Sequence, residues 1–399
     1  SKIVPSMHFG MFLGTSDAEH YKQAVRNALI TVEARVKTPA NAEAVLSEGK
    51  ADLVSIVRGQ IADPHLANKA REGRATDIRP CISCNQLCIG RRLRDYWISC
   101  LVNPSAGREA EWDGDRPAPA GKPRDVLVVG GGPAGLEVAR TAAERGHKVT
   151  LAERSGELGG QFRLAAGQPE RGEIGELLNW YQVQLEKLQV QIRLRTEMTR
   201  ADIEASGADT VVLCTGSLPS RDGFQRAMPH MAGLPGAGQD NVCTAHDVLD
   251  GSVVPGTNVL LLDDINGWWP ATGTALHLAE QRHYVTLVTA SEQAAGQLEY
   301  SRTADTARER FIKMGVETVT ATAVTRWDGN TATLINLYTG DEEEREFDSL
   351  VLATTNRPDD GLTRGLEGSG RDVHTIGDAV SPRTASMAIY EARKLGMSL

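Results

Sequence analysis

The stretch that most constrains this chain is residues 125–155, DVLVVGGGPAGLEVARTAAERGHKVTLAERS. A short apolar run over 126–129 ends at Gly130, Gly132 and Gly135, in G-x-G-x-x-G spacing with Pro133 and Ala134 inside it. An Ala-rich helical stretch follows to Gly146, and a second apolar run, 149–152, stops at the acid Glu153. Glycines at those places permit a tight turn, close approach of backbone to a pyrophosphate, and tight helix packing. The helix N-terminus offers N–H groups and a positive dipole end to an anion. Glu153 stands where a carboxylate accepts hydrogen bonds from a ribose, and Arg154 beside it joins the candidate binding residues. Strand, helix, strand and acid together predict a parallel α/β unit that holds an ADP-containing cofactor.

At 399 residues the chain exceeds one ordinary domain, so two to four units are expected. No run approaches the roughly 20 apolar residues of a membrane span, and the first residues carry no signal-peptide pattern. A cytoplasmic protein is the expectation. The net charge of −9 argues against a nucleic-acid partner or an anionic membrane surface. Of the six cysteines, Cys81, Cys84, Cys88 and Cys100 fall close together, which is metal-site usage in a reducing compartment rather than a disulfide framework.

Residues 1–73 read as strand, helix, strand, helix. A β-branched run covers 28–35, Thr38 and Pro39 start a helix that ends at Gly49, and a strand over 51–57 places Arg58 and Gly59 at its C-terminal end. Phosphates bind at that end in β/α barrels, so Arg58 is a candidate phosphate ligand; pairing with Asp63 is the alternative. Two β/α units cannot close a barrel. The expectation is therefore a chain that continues a longer barrel, or a partner that supplies the remaining strands. The cysteines follow as C-x2-C-x3-C-x11-C, a spacing that holds an iron–sulfur cluster or a structural zinc. Arg91, Arg92 and Arg94 read as a solvated basic face.

Residues 108–123, rich in Ala, Gly, Asp and Pro, read as a linker. After Glu153, the pair Gly159 and Gly160 with Gln161 marks a loop that approaches a ligand closely. A buried strand over 208–214 ends in Thr215-Gly216, and residues 347–356 echo it, which suggests two related domains, one inserted in the other. In the insert, 258–262 and 285–288 match the two strands around the fingerprint, but Asp263 replaces Gly130, Ile265 replaces Gly132, Trp268 replaces Gly135 and Thr289 replaces Glu153. The insert is expected to keep the fold and to have lost nicotinamide dinucleotide binding, because side chains and like charge fill the phosphate's place. Trp268 and Trp269 are expected to pack inside it. Near the end, Ile376-Gly377-Asp378-Ala379 precedes a helix, and Asp378 can accept a hydrogen bond from a sugar-chain hydroxyl. The acidic run 341–345 reads as a solvent-facing turn.

With these residues in view, the chain resembles the multidomain flavoprotein branch of the old yellow enzyme family, which includes trimethylamine, histamine and N-demethylating dehydrogenases and 2,4-dienoyl-CoA reductase. The motifs that carry the resemblance are Ala51-Asp52-Leu53-Val54 through Arg58 to Pro64, Ile78 to Gln86 with Cys88, Cys100 with Asn103-Pro104, the glycine fingerprint, and residues 376–379. It implies a barrel with FMN, whose phosphate Arg58 meets, although Ala34 and Val57 stand where Gly is usual. It implies a 4Fe-4S cluster on Cys81, Cys84, Cys88 and Cys100, and FAD, or ADP in its place, at the fingerprint. The implied organisation is 1–75, barrel units; 76–112, cluster segment; 113–123, linker; 124–233 and 341–399, two parts of the FAD-binding Rossmann domain; 234–340, the degenerate second nucleotide domain. The fold class is thus α/β, part of a TIM barrel followed by two Rossmann-like domains.

The degenerate second copy places the chain with the amine dehydrogenases. That reading implies oxidation of an N-methylated amine, electrons leaving to an electron-transfer flavoprotein or iron–sulfur protein, and an oligomer. The alternatives are an NAD(P)H-dependent ene-reductase and an electron-transfer subunit that completes a barrel with a partner chain. The catalytic acid and base are not assigned, and His8 reads as a loop histidine.

Overall fold

The fingerprint strand Asp125–Val129 is apolar because both its faces are covered, and its last four residues are buried. It lies in the middle of a five-stranded sheet in the computed structural model, which describes residues 4–112, 114–264 and 267–399. The order is Asp372–Thr375, Thr210–Leu213, Asp125–Val129, Lys148–Ala152, Gln191–Arg193, all parallel. The helix Pro133–Glu144 connects the third and fourth of these strands, and the C-terminal helix Ala385–Ser398 packs along it. These elements belong to a compact unit of Ser1–Phe162, Glu173–Gly216 and Asp359–Leu399.

The second unit is Arg163–Gly172 with Ser217–Pro358. Its sheet repeats the first: Val242–Thr244, Ser349–Ala353, Asn258–Asp263, Tyr284–Thr289, Glu317–Val319, again all parallel. The echo at 347–356 is thus a strand in the same place as Thr210–Leu213, beside the strand that carries the turn. This pairing takes the unit to Pro358, beyond the expected limit at 340, because Ser349–Ala353 bonds to Asn258–Asp263 and not to the first sheet. The acidic run expected as a turn is also different. Glu342–Glu346 is an exposed strand of an antiparallel meander with Thr331–Asn336 and Thr322–Asp328.

Toward the N-terminus, Thr31–Val32 and Leu53–Val54 pair in parallel. A small core of Ala18, Val32, Val36, Val45 and Ala51 lies beneath them. Thr38 caps the helix Pro39–Ser47 through the amide of Asn41. The second strand is shorter than expected, since Val57 already starts the helix Val57–Ala62.

The first unit contains a buried ionic network that the composition conceals. Glu137, two residues past Gly135, is fully buried and accepts from Tyr181 Oη at 2.9 Å, Arg140 Nη2 at 3.0 Å and Arg393 Nε at 2.8 Å. Asp115 accepts from Arg79 Nη2 at 2.8 Å and Arg393 Nη2 at 2.9 Å. The expected linker is therefore not a free tether at Asp115, which is only 7% exposed and holds two guanidiniums. Burial alone would raise the Glu137 carboxyl, but Arg140 and Arg393 outweigh it and bring it down to about 2. A depressed carboxylate stabilises the fold above its ordinary range, and that contribution is lost as pH falls through the folded value. Between pH 4.5 and about 2, Glu137 should account for a loss on the order of 3 kcal/mol. In urea unfolding across this range, Glu137→Gln should be less stable by about 3–5 kcal/mol at neutral pH, with a flatter acid limb than the parent.

Candidate functional site

The fingerprint turn is built by contacts only glycine allows. Gly130 has φ 105°, and a Cβ on it would lie 2.3 Å from the Cys214 carbonyl oxygen. A Cβ on Gly135 would lie 1.8 Å from the Gly130 oxygen, so the helix packs directly on the turn. Around Gly132 there is instead open space: a Cβ added there would have nothing within 4 Å. That space sits at the N-cap of Pro133–Glu144, where backbone N–H groups and the helix dipole favour an anion. The three glycines thus divide between packing and access.

The other expected residues gather around this turn. Glu153 is buried and accepts from Gly131 N at 2.6 Å and Ser155 N at 2.7 Å, so its carboxylate is fixed in position at the end of its strand. Gly160, with φ 50°, packs against Gly132: a Cβ on it would be 3.1 Å from the Gly132 Cα. Gln161 begins the helix Gln161–Gly167. Thr215 Oγ1 donates to the Asp359 carbonyl at 2.5 Å, and Gly216 turns the chain with φ 81°. Arg154 pairs with the Asp359 carboxylate at 3.2 Å. Gly377, with φ 69°, lies 3.2 Å, at its Cβ position, from the Ala134 methyl, so Asp378 and the C-terminal helix adjoin the start of the fingerprint helix. Asp378 Oδ1 accepts from Arg383 N at 3.1 Å.

The second unit resolves the same strand–turn–helix differently. Asp263 Oδ2 accepts from the Gly267 amide at 2.7 Å, and Asp264 accepts from Arg226 N at 2.8 Å. Burial pushes the Asp264 carboxyl up, against the pull of Arg226. Trp268 is the N-cap of Trp269–Glu280, so it corresponds to Gly132 rather than, as expected, to Gly135. The turn is longer than in the first unit, and its Ile265 lies outside the described residues. Trp269 is in the core, with Trp268 packed against it. The helix N-cap that is Gly132 in the first unit is thus a tryptophan in the second.

The four clustered thiols line one pocket, together with Arg58, Ile61, Leu87 and the 82–85 backbone. Ser83 and Asn85 take left-handed conformations, φ 48° and 57°, which curl the loop between Cys81, Cys84 and Cys88. Burial and the neighbouring thiols push Cys84 well up and Cys100 up to about 12; Cys88 is raised by the same causes, against Arg58. Four thiols in a pocket whose lining includes no carboxylate form a soft donor set suited to a thiophilic metal group. Arg58 does not pair with Asp63. Its Nη1 donates to Asn85 Oδ1 at 2.6 Å, while Asp63 takes Lys69 Nζ at 2.6 Å. Gly59 is explained by packing, since a Cβ would lie 2.5 Å from Ile56 Cγ2. Arg91 does more than face solvent: its guanidinium stacks on Tyr96 and Trp97, at 5.3 and 4.4 Å from the ring centroids.

Comparison with known proteins agrees with this arrangement. The NADH:flavin oxidoreductase / NADH oxidase family matches residues 6–77, and the FAD dependent oxidoreductase family matches 125–211. The N,N-dimethylglycine/sarcosine dehydrogenase of Chromohalobacter salexigens is 33% identical, over 99% of this chain and 61% of that protein. The NADH oxidase of Thermoanaerobacter brockii is 36% identical, over 91% of this chain and 54% of that protein. The 6-hydroxypseudooxynicotine amine oxidase structure from Pseudomonas geniculata N1 superposes with a TM-score of 0.93 at 29% identity, over 99% of this chain and 60% of that one. The chain belongs to the old yellow enzyme-like multidomain flavoprotein family. It spans between 54% and 61% of the length of these relatives.

Within this family the two departures from glycine mean different things. Ala34 has φ 74°, so the turn still demands the conformation glycine adopts freely, at a cost of about 1–3 kcal/mol. Val57 is the first residue of a helix and needs no glycine. Sequence reasoning missed Arg35, Lys37 and Glu173, which join segments far apart in the chain. The fingerprint turn yields a paired test on the ligand-free protein. Gly132→Val should keep its unfolding midpoint in urea and lose affinity for an added ADP-containing cofactor, because the side chain enters open space. Gly130→Ala should unfold at lower urea, destabilised by about 2 kcal/mol or more, because it meets backbone.

Proposed function

We propose that the protein is a flavin and iron–sulfur oxidoreductase of the amine-dehydrogenase, N-demethylating type. In this reading FAD, or ADP in its place, is held by Gly130, Gly132, Pro133, Ala134, Gly135, Glu153, Arg154, Gly160, Gln161, Thr215, Gly216, Gly377 and Asp378. Arg58 and Gly59 contribute to an FMN phosphate site, and Cys81, Cys84, Cys88 and Cys100 hold a 4Fe-4S cluster. Bound there, the cluster supplies one-electron carriage between a two-electron flavin and an acceptor such as electron-transfer flavoprotein or an iron–sulfur protein.

The four thiols line one pocket with no histidine or carboxylate, and their spacing, a tight triplet plus one distant thiol rather than two C-x2-C pairs, favours a cluster over a single zinc. In protein purified anaerobically, Cys84→Ser should lose most of its iron and the absorbance of the cluster while retaining FAD.

The observation that carries the amine-dehydrogenase reading is the second turn, where the buried Asp263 carboxylate takes a turn amide that a pyrophosphate would need and Trp268 stands at the helix N-cap that is Gly132 in the first unit. Likeness to a dimethylglycine/sarcosine dehydrogenase agrees with an N-methylated amine as substrate. The 36% identity to an NADH oxidase favours a second reading, in which NADH or NADPH reduces the flavin through a nonstandard site. No described helix is long and apolar enough to cross a membrane, and the free thiols fit a reducing compartment such as the cytoplasm.

Anaerobic titration of the intact protein with its flavins separates the readings. NADPH, NADH and then dimethylglycine, N-methylproline and trimethylamine are added while flavin absorbance is followed. Bleaching by an amine and not by a nicotinamide is expected. Rapid bleaching by NADH or NADPH would overturn the reading of the second turn.

A further inference from the structure

The loop of Cys81 to Cys88 is gripped from the strand ends by three cations. Arg35 Nη1 donates to Ser83 Oγ at 2.6 Å, Lys37 Nζ to the Cys81 carbonyl at 3.3 Å, and Arg58 Nη1 to Asn85 Oδ1 at 2.6 Å. The residues held by the two arginines, Ser83 and Asn85, are the left-handed ones, each nearly fully buried. Backbone adds to the grip, with Met7 N donating to the Ser83 carbonyl at 3.1 Å.

Arg35 differs from the other two cations. It follows Ala34 in a second successive left-handed conformation, φ 65°, and its side chain is 3% exposed. Such backbone strain persists only where surrounding contacts impose it. On Arg35 these are the Phe12 amide on its carbonyl at 3.3 Å and, at the far end of the side chain, Glu173 Oε1 at Nη2 and Ser83 Oγ at Nη1. Glu173 opens the helix Glu173–Lys187 and receives Lys37 Nζ at 2.8 Å with its other oxygen. Lys37 reaches Glu176 at 2.6 Å as well. Glu173 thus bonds both cations that reach the cysteine loop, with Glu176 as the second counter-charge, and the strained turn, the loop and the helix are tied at one point.

We propose that Arg35 is a positioning residue: through Ser83, with Glu173 as counter-anchor, it fixes the cysteine loop against the strand ends that carry Arg58. The Arg35 side chain bonds Ser83 and Glu173 rather than a thiol; it sets where the thiols stand. The consequence for electron passage between a flavin at the strand ends and a cluster on this loop rests on the function proposed above. The consequence for how firmly the loop retains iron rests only on the cluster assigned there to the four cysteines, not on the substrate.

The test uses the intact holoprotein with Arg35→Lys and, as a milder change on the loop side, Ser83→Ala. Arg35→Lys keeps the charge and loses the fork that reaches two acceptors. Iron release to a chelator, without substrate, should be about tenfold faster in Arg35→Lys and severalfold faster in Ser83→Ala, as loss of a charge-assisted hydrogen bond implies. With an amine that bleaches the parent flavin, bleaching rate and KM should stay within about twofold, while appearance of the reduced-cluster EPR signal slows by about tenfold. Iron release within about twofold of the parent in both variants would overturn the proposal. If no amine bleaches the parent, the proposed function fails, and the iron-release comparison still decides the role of Arg35.

Discussion

Glu137 is a fully buried carboxylate, and much of the first unit is arranged to keep it ionised. It sits on the fingerprint helix and accepts from Arg140 one turn along, from Tyr181 on a second helix and from Arg393 on the C-terminal one. Arg393 also reaches Asp115, and Asp115 reaches Arg79, two residues before Cys81. Trp180 lies beneath Arg79 and Arg140, at 4.8 and 5.4 Å from its ring centroid. A buried charge must find its partners or it destabilises the fold by several kcal/mol. The network therefore specifies one docking of the cysteine segment, the fingerprint helix and the C-terminal helix, since any slippage would strand a charge.

The cysteine loop adds a second constraint of the same kind. A loop that turns through Ser83 and Asn85 in left-handed conformations has no regular hydrogen bonding of its own, so its shape comes from outside. Side chains from the turn after Thr31–Val32 and from the helix Val57–Ala62 that follows Leu53–Val54 supply it, on the side of the strand ends where β/α folds place their chemistry. The two constraints meet in the helix Glu173–Lys187, which contributes Glu173 to the loop's anchor and Trp180 and Tyr181 to the buried network.

What could be read in the sequence follows from how local the cause is. The fingerprint, the cysteine spacing and the repeated strand are written within a few residues of one another, and the structure brings their residues to one turn, one pocket and equivalent sheet positions. The Asp115 contacts were illegible because a short Pro- and Gly-rich stretch has a tether's composition whether or not one carboxylate in it is buried. Arg35 and Glu173 stand 138 positions apart, and each alone is an ordinary charged residue. The strand Glu342–Glu346 read as a solvent turn because its acidic residues carry no apolar alternation; it is held at an exposed edge by pairing with Thr331–Asn336.

The two nucleotide-type turns show how one fold arrives at opposite results. In the first, the carboxylate that accepts the turn amide belongs to the neighbouring strand: Glu153 takes Gly131 N, and the space at Gly132 and the helix start stays clear. In the second, Thr289 stands at the end of the equivalent strand and bonds locally to the Ser291 amide at 3.2 Å. The turn amide is accepted by Asp263, on the fingerprint-equivalent strand itself. That carboxylate is 1% exposed and satisfies from within the kind of donor that a phosphate would take from outside. An anion brought to this turn would compete with Asp263 for the amide and meet its charge, with Trp268 at the helix N-cap. Replacing Trp268 by glycine alone would not reopen the site, because the Asp263 carboxylate would still hold the turn amide and carry its charge.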